Sequence, residues 1–180
     1  MTLPLDAKML LEAIQWANGK HAGQVRKGSG VPYISHPIAV SYIVAAFKSS
    51  RHLVQLLVAA IVHDCLEDTD ATFDEIAQRF GPMVASLALE LKNDDAEIAR
   101  VGKLAYHSKK LLGISSYALV IKLADRLHNI SDNPTKKMVE ETLVLMQRLR
   151  DGRKLTRTQL ALVEAIEGLC QEKLAQVQAA

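Results

Sequence analysis

The stretch HLVQLLVAAIVHDCLEDTD, His52 to Asp70, changes character part way along. Its first half is an apolar run of the kind found inside a buried helix. It then ends in His63-Asp64, followed by Glu67-Asp68. One imidazole and three carboxylates beside a buried face are costly to leave without partners. If the helix persists through Asp68, His63 and Glu67 are one turn apart, as are Asp64 and Asp68, and Asp64 and Glu67 stand at i, i+3. Like charges at that spacing repel. A divalent cation offsets the repulsion directly, because neutral imidazole and carboxylate are both good ligands for first-row metals. The alternative is a solvated helix end whose acids face water. The apolar run directly before His63 favours the metal, since unpaired charge at a buried face is strongly destabilising.

Outward from this stretch the pattern stays helical. Aromatic residues make up 4% of the chain and strict polar–apolar alternation is scarce, whereas Ala, Leu and charged residues recur at three- and four-residue spacing. A first helix is expected over about Leu5 to Lys20, with Leu10, Leu11, Ile14 and Ala17 on one face. A loop follows, HAGQVRKGSGVPYISHP, the longest non-periodic stretch of the chain. Long loops in compact domains are often functional. Pro37 is suited to the first position of the next helix, which runs to about Phe47. Thr72 and Glu75 read as a capping box, Gly81-Pro82 as the start of another helix, and Gly113 as the stop of a weaker one. Leu119, Leu123 and Leu127 mark a strongly periodic segment that Asn133-Pro134 closes. Amphipathic segments over about Thr135–Leu149 and Thr158–Leu174 complete an all-α chain of about eight to ten helices, expected as one compact domain over residues 1–180.

The bulk numbers narrow the function classes. At 180 residues and 49% hydrophobic content the chain is globular rather than disordered. A net charge of +2 gives no reason to expect nucleic acid or an anionic membrane as partner. Two cysteines, Cys65 and Cys170, are too few for a disulfide framework and suit a reducing compartment. The opening MTLPLDAKML lacks the pattern of a signal peptide, so a cytoplasmic location is expected. Exposed apolar faces on the last helices are compatible with a homo-oligomer.

Further ligands for a metal must come from other segments. Asp125, in IKLADRLHN, interrupts an apolar face between Leu123 and Leu127, with Asn129 one turn later. The alternative for Asp125 is a surface ion pair with Arg126 or Lys122, worth little. His36 precedes Pro37, which biases it toward a loop-to-helix junction where its ring can point into a cleft. Glu67 and Asp68 are then surplus to the metal, and acids beside a bound water are what hydrolysis requires. Arg26 and Lys27, ahead of Gly28 and Gly30, offer donors suited to phosphate oxygens. A basic loop, a carboxylate-rich metal cluster and an interrupted apolar helix together point to metal-dependent phosphoester or pyrophosphate chemistry.

These residues resemble a known family. His36, His63-Asp64 and Asp125 match the H…HD…D pattern of HD-domain metal phosphohydrolases. GQVRKGSGVPYISHP (Gly23–Pro37), AAIVHDCLEDTD (Ala59–Asp70), FDEIAQRFGPMVASL (Phe73–Leu87) and VIKLADRLHNI (Val120–Ile130) resemble the hydrolase domain of the RelA/SpoT alarmone enzymes of the stringent response. The likeness runs over about three-quarters of the chain and leaves no room for the synthetase domain of the bifunctional members, so a stand-alone small alarmone hydrolase is expected. The resemblance implies one Mn²⁺ held by His36, His63, Asp64 and Asp125. It also implies removal of the 3′-pyrophosphate of ppGpp-type nucleotides, with Glu67 and Asp68 activating or positioning the attacking water. Arg26, Lys27 and Asn129 match substrate-contacting positions, and Tyr33 is expected to line the same pocket.

Departures fall around the nucleotide rather than the metal. LELKNDDAEIARVGK lacks the lysine the family carries just after its acids, with Lys92, Arg100 and Lys103 as candidate substitutes. ISDNP replaces the Met-Arg or Leu-Arg that often follows the asparagine, and Lys137 is a candidate contact to terminal phosphates. Base and phosphate number therefore stay open, with the adenosine alarmone ppApp as a substrate beside ppGpp and pppGpp. Two other readings remain. One is a different HD phosphohydrolase, such as a nucleotidase. The other is a catalytically silent nucleotide-binding protein.

Overall fold

The computed structural model describes residues 4–27 and 29–179. Among these, eleven helices and no strand are present, save a single bridge pairing Val25 with Pro32. The all-α expectation holds. The chain divides into two units, up to Lys92 and from Asn93 onward. Among the described residues, no helix is long and apolar enough to cross a membrane.

Unit 1 comprises α1 (Leu5–Lys20), α2 (Ser35–Phe47), α3 (Leu53–Val62), α4 (Cys65–Asp68), α5 (Phe73–Phe80) and α6 (Pro82–Leu91). Its centre is α3, in which Leu56 and Val58 to Val62 are all buried. A helix apolar on every side must be covered on every side, and α1, α2 and α6 pack around it. The face expected on α1 is rotated. Ala13 and Ala17 lie at 0% exposure whereas Leu11 is 48% exposed, so small residues rather than leucines make its closest approach. Pro37 sits two residues inside α2, which begins at Ser35, still in the first turn where its missing N–H has no intrahelical partner. The capping box is present: Thr72 Oγ1 accepts from Glu75 N–H at 3.2 Å and Thr72 N–H donates to Glu75 Oε2 at 3.0 Å.

Unit 2 comprises α7 (Asp95–Val101), α8 (Lys103–Gly113), α9 (Ser116–Ser131), α10 (Lys136–Gly152) and α11 (Arg157–Ala179). The segment expected as one weak helix through IARVGKLAYHSKKL is two, because Gly102 takes φ +85°, a conformation that breaks an α-helix and that glycine adopts without a Cβ penalty. Gly113 ends α8 as expected, and its last carbonyls are met from afar. Arg153 Nη1 donates to Leu111 O at 3.1 Å and to Ile114 O at 2.6 Å. The core helix is α9, with Leu119, Ile121 and Leu123 at 0% exposure. It packs against α11, while α10 packs against both α8 and α11.

On α8, His107 is buried at 7% exposure. Burial first, then the charges of Arg126, Lys122, Lys103 and Lys110, push its pKa down to about 3. The folded protein therefore keeps His107 neutral at pH values where the unfolded chain, with an ordinary imidazole, binds a proton. The unfolded state binds more protons between about 6.5 and 3, so stability falls as pH falls through that window. The cost is up to about 1.4 kcal/mol per pH unit. Urea unfolding at a series of pH values is expected to show this acid slope in the wild type, and a shallower one in His107→Gln.

Candidate metal centre and active site

In a continuous helix, neighbouring residues do not face each other. At His63-Asp64 the helix is interrupted. α3 ends at Val62 and α4 starts at Cys65, with Asp64 at φ −92°, ψ −8° between them. The helix expected to persist through Asp68 is thus interrupted, with His63 and Asp64 both keeping right-handed helical angles. His63 Nε2 lies 3.2 Å from Asp64 Oδ1, and His36 Nε2, from the first turn of α2, lies 3.7 Å from Asp64 Oδ2. Both imidazoles are 1% exposed, and the two ring centres are 5.4 Å apart.

Hydrogen bonding fixes how one of these rings presents itself. His63 Nδ1 stands 2.7 Å from Ala60 O. A carbonyl only accepts, so Nδ1 donates, and in the neutral ring Nε2 carries the lone pair. That lone pair points at a carboxylate oxygen, and two such acceptors repel unless positive charge lies between them. Two buried imidazoles and a carboxylate directed at a common point, with one tautomer set by a backbone carbonyl, fit a divalent cation.

The loop before α2 adds a further constraint. Tyr33 Oη donates to Asp64 Oδ2 at 2.6 Å and lies 3.5 Å from Asp68 Oδ2. With one proton to give, the hydroxyl commits to Asp64. The structure thus places Tyr33 against the carboxylate, with the Arg26 guanidinium 6.0 Å over its ring. Gly30, at φ +72°, lets the loop turn back, and Arg26 N–H donates to Val31 O at 2.9 Å. Lys27 is exposed, and Gly28 lies outside the described residues. Asp68 is raised above the ordinary carboxylate range by loss of water on its inner side, then by the charges of Asp64 and Glu67.

Sequence reading did not assign the group that holds Asp68 in place. Gln24 Nε2 donates to Asp68 O at 2.8 Å, and its Oε1 accepts from His21 Nδ1 at 2.8 Å. His21 Nε2 is left as an acceptor, 3.6 Å from the Cys65 sulfur, so the thiol is the donor there. The three-residue spacing of His21 and Gln24 inside the long loop is the signal that could have found the pair.

Asp125 and Asn129 lie on α9 of unit 2 and meet each other. Asn129 Nδ2 donates to Asp125 Oδ1 at 2.6 Å, and Lys122 Nζ is 3.0 Å from Asp125 Oδ2. The Lys122 pair is real but not a surface one, since both side chains are about one-tenth exposed. Lys137 is exposed on α10, 3.8 Å from Glu141.

A histidine pair around an HD carboxylate in an all-helical frame is the arrangement of a metal-dependent HD hydrolase, and the sequence matches the HD domain over residues 13–153. The chain belongs to the HD-domain family and, within it, to the group containing the MESH1 hydrolases. It is 35% identical to mouse guanosine-3′,5′-bis(diphosphate) 3′-pyrophosphohydrolase MESH1 over 93% of this chain and 96% of that one. The human protein of the same name is 38% identical over 71% and 70% of the two chains. The bifunctional (p)ppGpp synthase/hydrolase SpoT of Escherichia coli is 35% identical over 82% of this chain and 22% of its own. Among solved structures, a metazoan ortholog of SpoT that hydrolyses ppGpp and plays a role in starvation responses superposes with a TM-score of 0.74. It is 29% identical, over 93% of this chain and 98% of that one.

The two cysteines take no part in nucleophilic chemistry. Both are at 0% exposure, and burial above all pushes Cys65 up to about 12 and Cys170 to about 11. Neither thiol is expected to react with iodoacetamide at pH 8 in the folded protein, and both are expected to react in urea, as read by intact mass.

Proposed function

We propose that this chain is an alarmone pyrophosphohydrolase, with one HD-type domain over residues 1–180. It removes the 3′-pyrophosphate of ppGpp or pppGpp, or of the adenosine analogue ppApp, to give pyrophosphate and the parent nucleotide. The observation that carries the reading is the Asp64 carboxylate set between His36, His63 and Tyr33. Its support is the match to hydrolases named for that reaction, over 93% of this chain in the mouse protein. The HD match also runs through both units.

In this reading His36, His63, Asp64 and Asp125 hold one Mn²⁺, Asp125 on the strength of the sequence motif. The bound ion supplies Lewis acidity, drawing charge from phosphoryl oxygens and making water more acidic. The protein's own part is to place and deprotonate that water. Asp68, more basic than an ordinary carboxylate because of its partial desolvation and its acidic neighbours, takes the proton, and Glu67 orients the water's lone pair. Water oxygen bonds to the phosphorus attached at O3′, the P–O3′ bond breaks with its electron pair going to O3′, and O3′ takes up the proton that Asp68 accepted, releasing pyrophosphate and the nucleotide's 3′-hydroxyl. Arg26, Lys27, Asn129 and Lys137 contact the nucleotide. Tyr33 contributes through Asp64, holding its carboxylate in one orientation.

A substrate panel of ppGpp, pppGpp, ppApp and simple nucleotides with Mn²⁺ tests the reading. Pyrophosphate release from at least one alarmone is expected, and Asp64→Ala is expected to abolish both release and bound metal. Orthophosphate release confined to simple nucleotides would replace this function with a nucleotidase. Asp68→Asn is expected to lower kcat by roughly 10²- to 10⁴-fold with bound metal retained, as for removal of a general base.

Tyr33→Phe separates positioning from substrate contact. Loss of an outer hydrogen bond to a ligand typically weakens metal binding by roughly 10- to 100-fold. A metal titration of the variant is expected to show a loss in that range, with KM for the nucleotide little changed at saturating Mn²⁺.

A further inference from the structure

Helix α4 is a single turn of four residues, and one turn has too few internal hydrogen bonds to hold itself. It is held from outside. Thr69 Oγ1 donates to Cys65 O at 2.7 Å and accepts from Ala71 N–H at 3.1 Å. Gln24 Nε2 donates to Asp68 O at 2.8 Å, meeting one of the carbonyls that a helix end leaves unpaired. Just beyond, Lys20 Nζ pairs with Asp70 Oδ1 at 3.0 Å and Glu75 Oε2 at 3.2 Å. The end of α1 and the turn after it therefore grip α4 and the segment that follows. With its side chain exposed, Asp68 takes its direction from that gripped backbone.

The same turn reaches Tyr33, which holds Asp64. Gln24 N–H donates to His21 O at 3.0 Å, and Gln24 O accepts from Tyr33 N–H at 3.0 Å. The His21 and Tyr33 rings lie together, their centres 4.8 Å apart. Gly23, at φ +79°, supplies the reversal between them. The amide of Gln24 has only one workable orientation. Asp68 O accepts and cannot donate, so Nε2 must face it, and Oε1 is left to accept from His21 Nδ1 at 2.8 Å. His21 is 3% exposed, and a ring so enclosed keeps the amide in that orientation.

We propose that the turn from His21 to Gln24 is a positioning element that sets Asp68 relative to Asp64, through the Gln24 amide on one side and Tyr33 on the other. The inference rests on the reaction proposed above and on Asp68 as its base. His21 and Gln24 are positioning residues, each acting through a neighbour and not on the water itself. Misplacing a reacting group by about 1 Å costs on the order of 100-fold in rate. Substrate affinity, carried by other residues, does not depend on this turn. Its loss is therefore read in kcat and not in KM.

Steady-state kinetics with Mn²⁺ and the alarmone that the wild type cleaves test the role. Gln24→Met keeps the length of the side chain and removes both amide contacts. It is expected to lower kcat roughly 10- to 100-fold, with KM little changed. His21→Asn keeps a donor where Nδ1 stands and is expected to retain most of kcat, whereas His21→Leu is expected to lose it as Gln24→Met does. In the Asp68→Asn background Gln24→Met is expected to cost little more, because a residue acting through Asp68 then has no base to place. Amide hydrogen exchange over residues 65–70 of the metal-free protein is expected to quicken in Gln24→Met, with α3 unchanged. Ile166→Val, in the buried core of unit 2, is the stability control and is expected to keep kcat.

Full kcat in Gln24→Met or His21→Leu overturns the positioning role and leaves the proposed reaction standing. So does a loss confined to KM, a loss as large in the Asp68→Asn background as in the wild type, or unchanged exchange over residues 65–70. Melting temperatures check that the variants fold. Should Gln24→Met unfold, Gln24→Glu decides in its place, since it keeps the acceptor for His21 and loses the donor to Asp68. A wild type that cleaves no alarmone removes the reaction and, with it, the role built on it.

Discussion

One carboxylate constrains the centre of unit 1. Asp64 is held by the Tyr33 hydroxyl at 2.6 Å and flanked by His63 at 3.2 Å and His36 at 3.7 Å. These groups come from a loop, from the end of a helix and from the start of another, so three segments are tied at one anion. The rigidity needed to hold them comes from α3, buried on all sides by α1, α2 and α6. His63 and Asp64 follow directly on the last residue of α3, so the two polar side chains stand at the end of a rigid apolar element.

The energetics of such a centre favour specificity over stability. Two imidazoles at 1% exposure and a largely buried carboxylate could be replaced by apolar residues of similar volume with little loss of stability, and often with a gain. Their retention, together with a tautomer fixed by Ala60 O, is intelligible if positive charge is to be bound between them. The same reasoning explains the supporting groups. His21 and Gln24 fix the backbone of Asp68 rather than its carboxylate, which stays exposed.

Much of the architecture was legible because it rests on periodicity and local chemistry. Leu5–Lys20, the capping box at Thr72, and the stops at Gly113 and before Pro134 are each written in neighbouring residues. What was not legible depends on tertiary partners or on one residue's backbone angle. Gly102 splits a helix whose apolar spacing reads straight through it. Leu11 points outward because Ala13 and Ala17 allow a closer helix approach than leucine would. The hydrogen bond from Asn129 to Asp125, one turn away, is not announced by the motif that carries both residues. The role of Tyr33 turns on a partner 31 positions distant, which spacing cannot reveal.

Net charge proved the least informative sequence property, for a reason that bears on function. A total of +2 suggests a chain without strong electrostatic preference. The charges are instead sorted. Asp64, Glu67, Asp68 and Asp70 crowd in and around α4 in unit 1, while Lys103, Arg126 and Lys137 share one cavity in unit 2. Each concentration alters its neighbours' protonation in its own direction, raising Asp68 and lowering His107. Fields of that kind come from local arrangement and are invisible to a sum. Mixed charges would satisfy one another, whereas a local concentration of one sign leaves charge to be met by a ligand of the opposite sign.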